Sequence, residues 1–164
     1  MTTRARVNAH GDQLYRNSTP YNSKAAYTVL FWHKPASFGG SGGYQTILIA
    51  YRGADAGWDA IYTTNAGDLY VDVNGTTADT GVNLSTSIWK YIGLRRTATS
   101  VLEVLVDGTV VYTSTVNIAS DGSAASFYFG SEPYSTWSDS NVAYARVWET
   151  NLTNGEVASE TDSA

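Results

Sequence analysis

Cysteine is absent from the 164 residues. This removes disulfide staples and thiolate metal sites and leaves the redox compartment open. Proline is scarce, with three in total, and charged side chains make up only 15%. Acids outnumber bases by fifteen to ten, for a formal net charge of −5. That balance disfavours a phosphate-tracking nucleic-acid surface and a basic membrane-binding face. No apolar run is long enough to cross a bilayer as a helix. The opening MTTRARVNAHGD lacks the apolar stretch of a signal peptide. That start fits a protein kept inside a cell, a virion-associated protein, or a module excised from a longer secreted chain.

What is abundant is glycine, serine and threonine, together with twelve tyrosines and five tryptophans. With β-forming residues spread throughout, this composition predicts an all-β domain rich in turns, and the length suits one domain over residues 1–164. Strand-like runs follow at short intervals: ARVNAH, AYTVLFWHKP, YQTILIAYRG, a hairpin in WDAIYTTNAGDLYVDVNG, IWKYIGLRR, VLEVLVDG, TVVYTSTV, SFYFGS and VAYARVWET. Asp107-Gly108 between two aliphatic arms predicts a tight type I′ hairpin, which needs positive φ at both centre positions. YTVLFW is apolar on both faces and suits a central strand. TNGEVASE predicts one or two helical turns, opened by a capping box between Thr153 and Glu156.

Four of these pieces, in order, resemble the laminin-G-like branch of the concanavalin A-like lectin/glucanase superfamily. YTVLFWHKP is similar to that family's strand ending in Trp-x-x-Pro. WKYIGLRRTATSVLEVLVDGTVVYTS is similar to its Trp-led strand, basic turn and aliphatic strand closing in Asp-Gly. FYFGS and YARVWETNLTNGEVASE resemble its closing strand, turn and final helix. The resemblance runs from about Tyr27 onward. It implies a two-sheet antiparallel β-sandwich, a jelly roll with one concave face, and a short C-terminal helix. It leaves function open among carbohydrate-binding modules, lectins, glycosidases, polysaccharide lyases and adhesive or virion-surface modules. Several members bind calcium, and many carry an acidic pair before the closing strand. Here that region reads SNVAYARVW, which argues against such a site. Asp139 and Asn141 remain the nearest oxygens for calcium, and otherwise no cofactor is expected.

Glu103 stands out in VLEVLVD. Glycosidases need two carboxylates sharing one bond. Period two aligns Glu103, Leu105 and Asp107 on one face, but the two acids would lie roughly 13 Å apart at about 3.3 Å per residue. That spacing, and the lack of a nucleophile elbow or metal helix, disfavours an enzyme; a hydrolase or lyase with an unrecognised site is the weakest alternative. His33, the one histidine in a strong strand, reads as a surface residue or one with its hydrogen bonds satisfied.

If Leu94 opposes Val104, then Arg95 opposes Glu103 as a cross-strand ion pair on the non-core face. Tyr91 shares that face, and a two-residue turn puts Tyr112 opposite Glu103. Leu69, Val71, Val73, Phe127 and Phe129 would point inward, leaving Tyr70, Asp72 and Tyr128 outward. The outward set Tyr70, Asp72, Tyr91, Arg95, Glu103, Tyr112 and Tyr128 is the candidate ligand face, with tyrosines to stack on sugar rings. Ordinary half-exposed sheet surface is the competing reading. Two loops add candidates: Tyr51, Arg52, Asp55, Trp58 and Asp59 in one, Tyr134 and Trp137 in the other, with Trp137 alternatively capping an open end of the sandwich. Trp32, Trp89 and Trp148 read as structural. The expected function is non-catalytic binding of a glycan or polysaccharide. The alternative is an adhesive or virion-surface module contacting protein partners or copies of itself.

Overall fold

The computed structural model describes residues 5–7, 14–16, 26–38, 43–51, 57–98, 101–116, 126–130, 139–148 and 150–163. Within them lie β1 (Ala5–Val7), β2 (Leu14–Arg16), β3 (Tyr27–Pro35), β4 (Tyr44–Tyr51), β5 (Trp58–Thr64), β6 (Asp68–Val73), β7 (Thr76–Asn83), β8 (Lys90–Ala98), β9 (Val101–Val106), β10 (Thr109–Ser114), β11 (Ser126–Phe129), β12 (Ser140–Trp148) and α1 (Asn154–Ser163). They build two six-stranded sheets, β1-β12-β3-β8-β9-β10 and β2-β11-β4-β5-β6-β7. This is the antiparallel β-sandwich with a C-terminal helix that the sequence implies.

Alternation sorts side chains between the layers. In β6 (DLYVDV), Leu69, Val71 and Val73 are buried while Asp68, Tyr70 and Asp72 stay partly exposed. The same rule sends Tyr27, Val29 and Phe31 of β3 and Ile92 and Leu94 of β8 into one core cluster with Phe127 and Phe129 of β11. Aromatic pairs link the sheets edge to face: Tyr27–Phe127 at 5.6 Å between ring centroids and Phe31–Phe129 at 5.1 Å. Asp107 and Gly108 have φ of 50° and 78°, the double positive that the short hairpin demands. β7 (TTADTGVN) shows no apolar alternation because it is an edge strand. The sequence patterns that mark the other strands therefore miss it.

The core also holds an ion pair. Asp59, expected in a loop, points inward from β5 and is fully buried, with Arg96 of β8 facing it from the other sheet. Arg96 Nη2 and Nε donate to the two Asp59 oxygens at 2.5 and 2.9 Å, and the Tyr27 hydroxyl donates to Oδ2 at 2.6 Å. The carboxylate and guanidinium satisfy each other in a fork geometry that lysine cannot reproduce.

β3 is buried on both faces because a second, smaller cluster covers its outer side. Leu30, Tyr91 and Leu105 of the first sheet pack against Leu152 and Val157, flanked by Trp32, Val110 and Trp148. Gly93 lies in this layer opposite Leu30; a Cβ there would sit 2.4 Å from Leu30 Cδ2 and 2.9 Å from the Val29 carbonyl oxygen. The helix is longer than the one or two turns expected. Its predicted capping box is present: Thr153 N and Oγ1 donate to Glu156 Oε2 at 2.7 and 2.8 Å, and Glu156 N returns a bond to Thr153 Oγ1. These bonds to Thr153 hold the Glu156 carboxyl below its ordinary range.

His33 is not a surface residue. It faces the core at 1% exposure, edge to face with Phe31, and among the described residues neither ring nitrogen has a hydrogen-bond partner. Burial lowers its pKa from the ordinary 6.5 to about 3. Trp89 also departs from expectation. It precedes β8, is 40% exposed, and has Lys34 Nζ 5.2 Å from its ring centroid.

Two stability measurements follow from these placements. Asp59→Ala strands the Arg96 charge and should cost about 3–5 kcal/mol, read from the urea midpoint. Asp59→Leu combined with Arg96→Met should cost less than that single change. For His33, the unfolded chain takes up a proton below about pH 6.5 that the folded chain refuses until about pH 3. Stability therefore falls across that window as pH drops, by up to about 1.4 kcal/mol per unit. His33→Leu should gain on the parent steadily between about pH 7 and pH 4; a constant difference would mean His33 is not held neutral.

Candidate functional site

The expected ligand residues divide between two opposed surfaces. On the first sheet, the predicted register holds: Leu94 opposes Val104 and Arg95 opposes Glu103. Arg95 Nε donates to Glu103 Oε2 at 2.6 Å, so Glu103 is an ion-pair partner. This face is covered, however. Arg95 also donates through Nη1 to the Leu152 carbonyl at 2.7 Å and through Nη2 to Asn154 Oδ1 at 2.8 Å. Thr28 Oγ1 completes the clamp, donating to the Thr150 carbonyl and accepting from Leu152 N, both at 2.9 Å. At the far end of α1, Arg146 pairs with Glu160.

Tyr91 and Arg95, expected outward, are thus buried at 1% and 6% exposure, and Glu103 is half-buried. Burial raises the Tyr91 phenol to about 12. Tyr112 does not lie opposite Glu103. A β-bulge between Val110 and Tyr112 shifts the register by one, pairing Tyr112 with Val104 and Thr113 with Glu103. Tyr112 packs instead against the inter-sheet core. A single inserted residue exchanges the faces of everything beyond it.

The outer face of the second sheet is different, since no described helix or strand lies over it. Tyr70 and Asp72 of β6 lie there as expected, as does Trp58, which begins β5 instead of sitting in a loop. Tyr128 shares the face on β11, opposite Ile49 of β4. Two further tyrosines complete a row across three strands: Tyr44 of β4 (49% exposed) and Tyr62 of β5. Tyr44 and Tyr62 meet edge to face at 5.0 Å between centroids, and Tyr62 and Tyr70 stack at 5.7 Å with 18° between planes. Tyr62 and Tyr70 are direct cross-strand partners across the turn Asn65-Ala66-Gly67. The hairpin legible in IYTTNAGDLY thus carried the signal for Tyr62, and Tyr44 depended on a β4–β5 register with its own bulge.

Carboxylates border the row. Asp72 Oδ1 accepts from Trp58 Nε1 at 3.1 Å and from Gly75 N at 2.7 Å, which fixes both the ring and the β6–β7 turn. Asp79, opposite Tyr70 on β7, accepts from Gly81 N at 2.8 Å and is hydrogen-bonded to the Tyr70 phenol. Asp68 accepts from Thr64 Oγ1 and Asn83 Nδ2. The field shows in the phenols. Asp79 pushes Tyr70 above its ordinary value, and burial with the Asp72 charge raises Tyr62 to about 12. Both hydroxyls stay protonated at neutral pH; the Tyr70 proton is directed at Asp79, which leaves the Tyr62 hydroxyl as the donor for a ligand.

Asp139 and Asn141 lie on the first sheet's side. Asp139 Oδ2 accepts from Ser37 Oγ at 3.1 Å, and its carbonyl accepts from Ala36 N at 2.8 Å, anchoring the chain beyond β3. Among the described residues no group of three or more His, Asp or Glu gathers as a metal site. Trp137, Tyr134, Arg52 and Asp55 lie outside the described residues.

The same β-sandwich occurs in known proteins. No curated protein matches the sequence. Among solved structures, the chain is similar to a native heptameric SAP-like pentraxin from Limulus polyphemus (15% identity, covering 96% of this chain and 80% of that one, TM-score 0.65). It is similar to domain 4 of AbnA, a GH43 extracellular arabinanase from Geobacillus stearothermophilus, in complex with arabinotriose (17%, 97% and 86%, TM-score 0.65). It also matches Trypanosoma rangeli sialidase in complex with 2,3-difluorosialic acid (15%, TM-score 0.70), covering 84% of this chain but only 23% of the sialidase. At these identities the likeness establishes the fold. The family model described as concanavalin A-like lectin/glucanases superfamily matches residues 8–158, and the chain belongs to that laminin-G-like family.

Proposed function

We propose that the protein binds a glycan without transforming it, on the outer face of the second sheet. The observation that carries this reading is the tyrosine row Tyr44–Tyr62–Tyr70, set across three strands beside Trp58 and Asp72, on the sheet face that no described element occupies. The half-exposed Tyr44 offers a ring to the apolar face of a pyranose or furanose. The mutually stacked Tyr62 and Tyr70 offer ring edges, and Tyr62 a phenol donor. Asp72 Oδ2, which accepts no hydrogen bond among the described residues, is a ready acceptor for a sugar hydroxyl. Aromatic rings suit this work because two torsions suffice to order them. The arabinotriose complex of the similar arabinanase domain supports the ligand class.

The reading is tested by affinity electrophoresis and calorimetry over soluble polysaccharides and oligosaccharides, neutral ones included. Tyr62→Ala and Tyr70→Ala should each weaken binding at least about tenfold, equivalent to about 1.4 kcal/mol, while the fold stays intact by circular dichroism. Arg95→Ala should behave in the opposite way, lowering stability by freeing the helix and leaving glycan affinity unchanged. Binding should also persist in chelator, since the only oxygens suggested for calcium, on Asp139 and Asn141, lie on the other sheet's side. No binding to any member of the panel would overturn the proposal.

A further inference from the structure

Among the described residues, the outer side of β4 to β7 is charged as well as aromatic, and that charge has one sign. Strands β4 to β7 contain no lysine or arginine, yet Asp68, Asp72 and Asp79 all lie on the outer side of β6 and β7. The cations whose side chains are described, Lys34, Lys90, Arg95, Arg96 and Arg146, all belong to the first sheet. Among the described residues, the only acid of β4 to β7 with a cationic partner in an ion pair is Asp59, and it points into the core. The three outer carboxylates take their hydrogen bonds from neutral groups: an indole N–H, a hydroxyl, an amide and backbone N–H groups. They are held in place without being neutralised.

We infer that the ligand of this face is a glycan bearing free amino groups, an oligomer of a 2-amino-2-deoxy sugar in its protonated form. The inference rests on the carbohydrate reading above and adds to it a selection by charge. An ammonium at C2 can donate to Asp72 or Asp79 in a charge-assisted bond while the same sugar ring packs on Tyr44. Protonated amines are also attracted to tyrosine ring faces. A uronate or other acidic sugar meets three fixed like charges and is rejected. Asp79 is the main cause of the raised Tyr70 phenol, and Asp72 adds to the larger effect of burial on Tyr62.

The test uses sets of oligomers of equal length and linkage that differ only at C2, carrying a hydroxyl, a free amine or an N-acetyl group, with an oligouronate alongside. By calorimetry in low salt, on the acid side of the amine's titration, the amine member should bind at least about tenfold more tightly than its neutral counterparts. The oligouronate should not bind. The preference should vanish on the alkaline side of that titration, and in about 1 M salt, where screening shortens to about 3 Å. Asp79→Asn should narrow the ratio between the amine and the neutral members, whatever it does to the affinity they share. Because Asp72 also anchors a turn, the salt and pH dependence of the unaltered protein is the primary readout. Equal binding of amine and neutral members overturns the charge inference and leaves the glycan site standing. Binding of an oligolysine peptide with no oligosaccharide bound overturns both, and points to a cationic protein segment instead.

Discussion

Arg96 carries its charge into the space between the two sheets, and the sandwich is organised around meeting it. Asp59 reaches it from the opposite sheet, and the Tyr27 hydroxyl donates to that carboxylate from the neighbouring strand, so three strands are pinned by one buried cluster. A guanidinium in a low-dielectric interior tolerates no loose partner. Its bidentate contact sets how β5 stands over β8. The aromatic pairs and aliphatic layers then pack between sheets whose relative placement an ion pair has restricted.

The preceding residue, Arg95, points the other way because a strand alternates. It performs the matching task on the outside of the first sheet. One guanidinium joins Glu103, the Leu152 carbonyl and Asn154, which brings the C-terminal segment down onto Leu30, Tyr91 and Leu105. Two adjacent arginines thus fasten a sheet on one side and a helix on the other. The consequence for function is one of exclusion. With the first sheet covered, the tyrosine row and its carboxylates on the second sheet are the described surface left for a ligand. Among the described side chains, the same asymmetry places the cations on the first sheet and the outer acids Asp68, Asp72 and Asp79 on the second.

Much of the local structure was legible in particular residues. Asp107-Gly108 could only close a tight turn, and that turn with the β8–β9 linker specified the Arg95–Glu103 pairing found in the fold. Leu69, Val71 and Val73 declared the buried side of β6 by alternation alone. Thr153 and Glu156 announced the helix start. Of the candidate site, Tyr70, Asp72 and Tyr128 were placed on the correct side of their strands. Tyr62 and Tyr44 were missed, and β7 went unseen because a polar edge strand carries no apolar period.

The sequence by itself determined the elements, their turns and which side of each strand is apolar. These depend on φ/ψ preferences and on a period of two, both properties of neighbours along the chain. Only the tertiary structure decided which outward face the C-terminal helix covers. Tyr91 and Tyr70 are indistinguishable by alternation, yet a helix sixty residues further on buries the former and nothing described covers the latter. The bulge that turns Tyr112 inward, and the meeting of Asp59 with Arg96, belong to the same class. Each depends on register or docking between segments far apart in the chain, where one inserted residue or one long-range hydrogen bond reverses what local pattern can say.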